Sequence, residues 1–100
     1  MVNDLYLSEL EQVVKENKVV FIDFYADWCG PCRAMMPIVH QLSDELDSVK
    51  FYKVNVDNNN DFAEAFKVSS IPTFVVFKDG KQTEKIVGMR DKEDLVEVLK

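Results

Sequence analysis

Apolar residues follow two rhythms along this chain, one with the period of a helix and one with the period of a strand. Leu10, Val13 and Val14 recur at helical spacing, and Ser8 followed by Glu11 has the spacing of a capping box. Together they predict a helix running to about Asn17, with a short strand before it. Val19 to Tyr25 is β-branched and aromatic at both parities, which predicts a central strand covered by helices on both faces. Met35, Ile38, Val39, Leu42 and Leu46 return to helical spacing, and Pro37 within that pattern predicts a kinked helix. Phe51 to Val56 reads as a second interior strand, and Asp61 to Phe66 as a short helix entered through Asp57 and the Asn58 to Asn60 run. Thr73 to Phe77 and Gln82 to Val87, joined at Asp79-Gly80, predict a hairpin. Asp91 then stands where it can cap a last helix carrying Leu95, Val98 and Leu99.

Strands alternating with helices define an α/β class. One hundred residues, 47% of them hydrophobic, suit one domain over 1–100, large enough to fold without a metal or a disulfide staple. A net charge of -6 argues against non-specific binding to nucleic acid or to an anionic membrane, so protein partners are expected. The first twenty residues carry Glu9, Glu11 and Glu16 and lack the basic start and apolar stretch of a secretory signal. The longest nearly apolar run, Val19 to Ala26, contains Asp23 and is far shorter than the ~20 residues that cross a bilayer. A cytoplasmic monomer is the expectation.

Because folding does not require them, the two cysteines need a chemical explanation. Cys29 and Cys32 lie three apart at the start of a helix, so they face the same way at a separation that a disulfide can span. Pro31 suits the first helical position, which places Cys29 at or next to the N-cap. There the helix dipole and unbonded N–H groups favour a thiolate, making Cys29 the expected nucleophile. Cys32, one turn in and more covered, is placed to resolve a mixed disulfide. As a mere staple the pair would close so short a loop that it contributes only roughly 2 kcal/mol. Structural zinc would need four ligands, whereas His40, the sole histidine, lies eight residues beyond Cys32, about 12 Å along a helix. No metal is expected.

Asp23 interrupts the central strand six residues before Cys29. An unpaired carboxylate there is costly, so burial should raise its pKa. It is either an acid/base that exchanges a proton with Cys32 or a strand-end residue bonded to backbone or solvent. Lys53, on a strand expected alongside, is either its charge partner or a solvated end. Ile71-Pro72-Thr73 opens a later strand, and spacing alone does not decide whether the Ile71-Pro72 bond is cis.

The run Asp23-Phe24-Tyr25-Ala26-Asp27-Trp28-Cys29-Gly30-Pro31-Cys32 resembles the active-site signature of the thioredoxin family. The likeness extends to Pro37, to Lys53-Val54-Asn55-Val56-Asp57, to Ile71-Pro72-Thr73 as a cis-proline loop, and to Val87-Gly88. The resemblance implies a central five-stranded mixed sheet flanked by four helices, with Cys29 exposed at the end of the second strand. It implies a protein-disulfide reductase without a bound cofactor, recharged by a thioredoxin reductase and acting on client proteins with reducible disulfides. By the same resemblance Cys29 is nucleophile, Cys32 the resolving thiol, and Asp23 a buried acid/base with Lys53 near it. Trp28, Gly30, Pro31, Ile71, Pro72 and Gly88 would form an apolar patch that receives the substrate, although a tryptophan is as readily packed in a core. Gly30-Pro31 accompanies the reducing members, where oxidases and isomerases usually carry a histidine. Tyr25 departs from the tryptophan of many members, and Ser70 from the glycine of several.

Overall fold

A computed structural model describes residues 1–100. Its strands are β1 (Val2–Asp4), β2 (Val19–Tyr25), β3 (Val49–Asn55), β4 (Thr73–Lys78) and β5 (Lys81–Val87). The helices are α1 (Leu10–Glu16), α2 (Gly30–Glu45), α3 (Asn60–Ala65) and α4 (Lys92–Leu99). The strands form one sheet in the order β1-β3-β2-β4-β5. β1, β3 and β2 run parallel, while β4 is antiparallel to both β2 and β5. This is the five-stranded mixed sheet with four helices that the resemblance implies.

β2 occupies the middle, as its apolar character at both parities requires. Odd positions such as Phe21 join Phe51, Phe74 and Val76 beneath Met35, Val39 and Leu42 of α2 and Leu95 and Leu99 of α4. Even positions Val20, Ile22 and Phe24 join Val54, Val75 and Phe77 against Phe62 of α3, with Val13 and Val14 of α1 packed alongside. Successive side chains alternate between faces, so every odd residue of β2, including Asp23 and Tyr25, belongs to the α2 face.

Local signals are realised unevenly. Asp79 and Gly80 both adopt positive φ, 53° and 81°, the geometry of a tight hairpin turn whose twist matches its strands. The capping box expected of Ser8 and Glu11 does not form. A 3-10 turn over Leu7–Glu9 precedes α1 instead, and the Tyr6 backbone N–H donates to Glu9 Oε1 at 3.0 Å. The reciprocal geometry has moved two residues upstream because the 3-10 turn takes up the chain at Ser8. Asp91 stands at the N-cap of α4, yet its side chain accepts no bond. The free N–H of Asp94 reaches its backbone carbonyl instead, at 3.1 Å, beside the first ordinary helical bond from the Leu95 N–H at 3.3 Å.

Candidate active site

The end of β2 leads through Ala26, Asp27 and Trp28 into the N-terminus of α2. Cys29 is the N-cap, with extended backbone, Gly30 is the first helical residue and Pro31 the second, one place later than expected. Pro31 still costs nothing there, because the first N–H groups of a helix have no intrahelical acceptor. Cys29 and Cys32 are disulfide-bonded, with Cα atoms 5.2 Å apart. The Cys32 backbone N–H donates to Cys29 Sγ at 3.2 Å. One of the helix's free donors is thus aimed at the first sulfur.

Cys29 is less open than the resemblance implies. It retains 4% of its surface and Cys32 retains 1%. The bridge is tucked among Ala26, Tyr25, Val56 and Ile71, and Cys29 Sγ lies 3.8 Å from the Ile71 carbonyl oxygen. A bridged sulfur has no proton to donate, so that approach is a contact and not a hydrogen bond. The asymmetry between the sulfurs follows from position: the cap residue lies at the edge of the helix, whereas the residue one turn in is covered by it.

Asp23 is fully buried, and neither carboxyl oxygen has a hydrogen-bond partner. Burial pushes its pKa from 3.8 to about 7, and the positive charge of Lys53 pulls it back only in part. A strand-end carboxyl bonded to backbone or water is therefore not what the fold contains. Lys53 stands directly opposite Asp23 in the β2–β3 register but forms no ion pair with it. A cleft of about 310 Å³ lies beside the bridge, lined by Tyr25, Ala26, Asp27, Cys32, Arg33, Met36 and Lys53.

On the other flank the Ile71-Pro72 bond is cis, Ile71 is half-buried, and Pro72 is buried. The Gly88 N–H donates to the Pro72 carbonyl at 2.8 Å, which ties the end of β5 to the loop and leaves Val87 and Met89 exposed beside it. Gly88 has φ +91°, where an L side chain is strained. Trp28 is 68% exposed, which rules out core packing, and its indole N–H donates to Asp57 Oδ2 at 2.8 Å. Gly30 and Pro31 are exposed, as is His40 on α2.

Sequence reasoning missed Asp57 as the anchor of Trp28, Val87 and Met89 as further exposed apolar residues, and Tyr25 and Arg33 as cleft walls. For Asp57 no local signal exists, since its partner lies 29 residues away. For Val87 and Met89 the signal was their place on either side of Gly88.

The thioredoxin family model matches residues 2–100. The chain is 47% identical over 81 residues to the thioredoxin of Chlamydia pneumoniae, covering 81% of this chain and 79% of that one. It is 41% identical over 93 residues to the thioredoxin of Mycoplasmoides gallisepticum, 93% of each chain. The solved structure of a mutant thioredoxin from Halobacterium salinarum superposes with a TM-score of 0.90 at 40% identity, over 98% of this chain and 86% of that one. With likeness of sequence and fold running through the cysteine pair from one end to the other, the chain belongs to the thioredoxin family and is a protein-disulfide reductase.

Proposed function

We propose that the two sulfurs and the buried carboxyl divide the reaction among them. In the reduced protein the Cys29 thiolate attacks one sulfur of a client disulfide, forming a mixed disulfide and releasing the client's other sulfur as thiolate. Asp23, as carboxylate, takes the proton of Cys32. The Cys32 sulfur then attacks Cys29 Sγ, the Cys29–Cys32 bond forms, and the second client sulfur leaves with the remaining electrons. The client gains two electrons and the protein loses two.

The observation that carries this reading is the Cys32 N–H aimed at Cys29 Sγ from the mouth of α2, at 3.2 Å. The same donor that bonds the bridged sulfur stabilises it as an anion. Support for Asp23 comes from strand parity, which puts it on the α2 face with Lys53, and from a pKa near neutrality, where a group can both take and return a proton. Trp28, Gly30, Pro31, Ile71, Pro72 and Gly88 form the client surface, with Pro72 as its support. A thioredoxin reductase returns the bridge to the dithiol, and the clients include reductive and peroxide-removing enzymes. The protein works as a cytoplasmic monomer of one domain over 1–100, without a bound cofactor. No helix is long and apolar enough to cross a membrane.

The test is a pair of serine variants. Cys29→Ser abolishes reduction of insulin disulfides, whereas Cys32→Ser keeps the first step and accumulates clients as mixed disulfides on Cys29. Clients trapped on Cys32 in the Cys29→Ser protein, with none held on Cys29 in the Cys32→Ser protein, would reverse the assignment.

A further inference from the structure

Lys53 stands between two carboxylates and pairs with neither. The registers of β1 with β3 and of β3 with β2 place Asp4, Lys53 and Asp23 in one row across the sheet. Partners in register share a face, here the face under α2. Asp4, on the edge strand, is exposed, and Asp23 is buried. A flexible ammonium in that row has an accessible carboxylate to one side and a desolvated one to the other. Its Nζ instead lies 5.9 Å from the ring centroid of Tyr25. Tyr25 is two residues beyond Asp23 on β2 and so is on the same face.

The ring and the ammonium stand where two openings meet. Both residues line the cleft of about 310 Å³ that contains Cys32. Both also line a second cleft, of about 150 Å³, that contains Asp4. Tyr25 thus forms a wall between the two, and Lys53 rests against it. An exposed Asp4–Lys53 pair and a cation–π contact are similarly weak, so a ring beside the ammonium is enough to compete with the carboxylate, and the contact present is the one with the ring.

We propose that Tyr25 is a positioning residue, whose ring holds the Lys53 ammonium at this wall, within electrostatic reach of Asp23, and restrains it from turning to Asp4 or to solvent. The inference rests on the reading of Asp23 as the group that exchanges a proton with Cys32. Held there, the ammonium favours the carboxylate form of Asp23 without locking it in an ion pair. The other charges around the pair are Asp4 on β1, Asp27 in the loop after β2, and Arg33 on α2. β4 brings Phe74, an uncharged residue, opposite Asp23.

Titration of the Asp23 carboxyl carbon by NMR in the oxidised protein tests this. Tyr25→Leu removes the ring and keeps much of the apolar bulk, so the ammonium departs and the Asp23 midpoint rises by about half a pH unit. The basic shift of the pH profile for disulfide reduction follows it. Tyr25→Phe retains the ring and leaves the midpoint in place. Lys53→Met raises the midpoint by itself, and adding Tyr25→Leu to it produces no further rise. Water admitted by the smaller side chain would move the midpoint down, so the sign separates hydration from loss of the ammonium. A fall or no change in Tyr25→Leu, or an equal rise in the Lys53→Met background, overturns the proposal. Should Tyr25→Leu not fold, the unmutated protein still decides. Its Lys53 methylene protons next to the ammonium are displaced upfield by the ring current, the displacement persists in Tyr25→Phe, and its absence overturns the proposal. The underlying reading fails separately: it falls if Asp23→Asn leaves the pH profile of turnover unaltered.

Discussion

The two flanks of the Cys29–Cys32 bridge are built from opposite materials. On the Cys32 side is a cleft with ionisable walls, Tyr25, Asp27, Arg33 and Lys53, above a face that holds Asp23. On the Cys29 side are exposed apolar residues, Trp28, Val87 and Met89, beside the half-buried Ile71. In the mechanism proposed above, the difference separates two tasks. A polypeptide docking on apolar surface gains from excluding water, whereas proton exchange with a buried thiol needs charge and a polar route. One helix N-terminus serves both because its first sulfur faces the Ile71 carbonyl and its second opens on the cleft. Each flank can be altered alone.

The largest contrast is expected from Asp23, on the charged flank. With its pKa at about 7 in the native protein and 3.8 ordinarily, the folded state holds a proton that the unfolded chain releases between those values. Stability therefore falls as pH rises through this window, and the loss is complete above about pH 7. The full difference amounts to roughly 4 kcal/mol. Asp23→Asn removes it, so denaturant unfolding of the variant shows little slope across pH 4 to 7 and a gain over the parent at pH 8. The same variant slows resolution of the mixed disulfide about a hundredfold in stopped-flow traces. A parent protein whose stability is level across this pH range would remove the carboxyl from its assigned role.

A smaller and different effect belongs to the apolar flank. Trp28→Ala removes an exposed ring anchored by Asp57, and raises KM for a protein disulfide about tenfold with kcat within about twofold. Its pH profile stays that of the parent. A change in kcat with KM constant would mean that Trp28 acts on the sulfurs and not on the client, and the division between flanks would fail.

The smallest effect compares two glycines of this site. Gly88→Ala forces a side chain onto φ +91° and costs about 1 kcal/mol in thermal unfolding. Gly30→Ala, on a helical backbone with only the Arg33 side chain 4.0 Å away, stays within about 0.5 kcal/mol. Equal losses at both positions would show that the tie from Gly88 to Pro72 does not shape the apolar flank.

How much of this was legible beforehand depended on the range of the interaction. Apolar periodicity placed α1, α2, α4 and the interior strands, because burial is dictated by the side chain's own character, whereas β5, exposed except at Ile86, was placed by the Asp79-Gly80 turn. Boundaries slipped by a residue or two at helix starts: Ser8 lost its capping role to a 3-10 turn, and Pro31 is the second helical residue, while Asp91 holds the N-cap position without a side-chain bond. Trp28 was open to two readings because an indole suits both a core and a docking surface, and a partner 29 residues away settled it.

The sequence by itself determined the chemistry on offer: two thiols at a spacing that permits a disulfide, at a helix start that favours an anion, and one carboxyl in an otherwise apolar strand, whose burial the fold then decided. These follow from local covalent geometry and from the cost of burying charge. Only the tertiary structure decided which groups meet. Strand register set Lys53 between Asp4 and Asp23, the fold brought the Ile71 carbonyl to the first sulfur, and packing reduced Cys29 to 4% exposure. Such juxtapositions depend on how distant segments are paired across the sheet, and no local pattern of side chains encodes that distance.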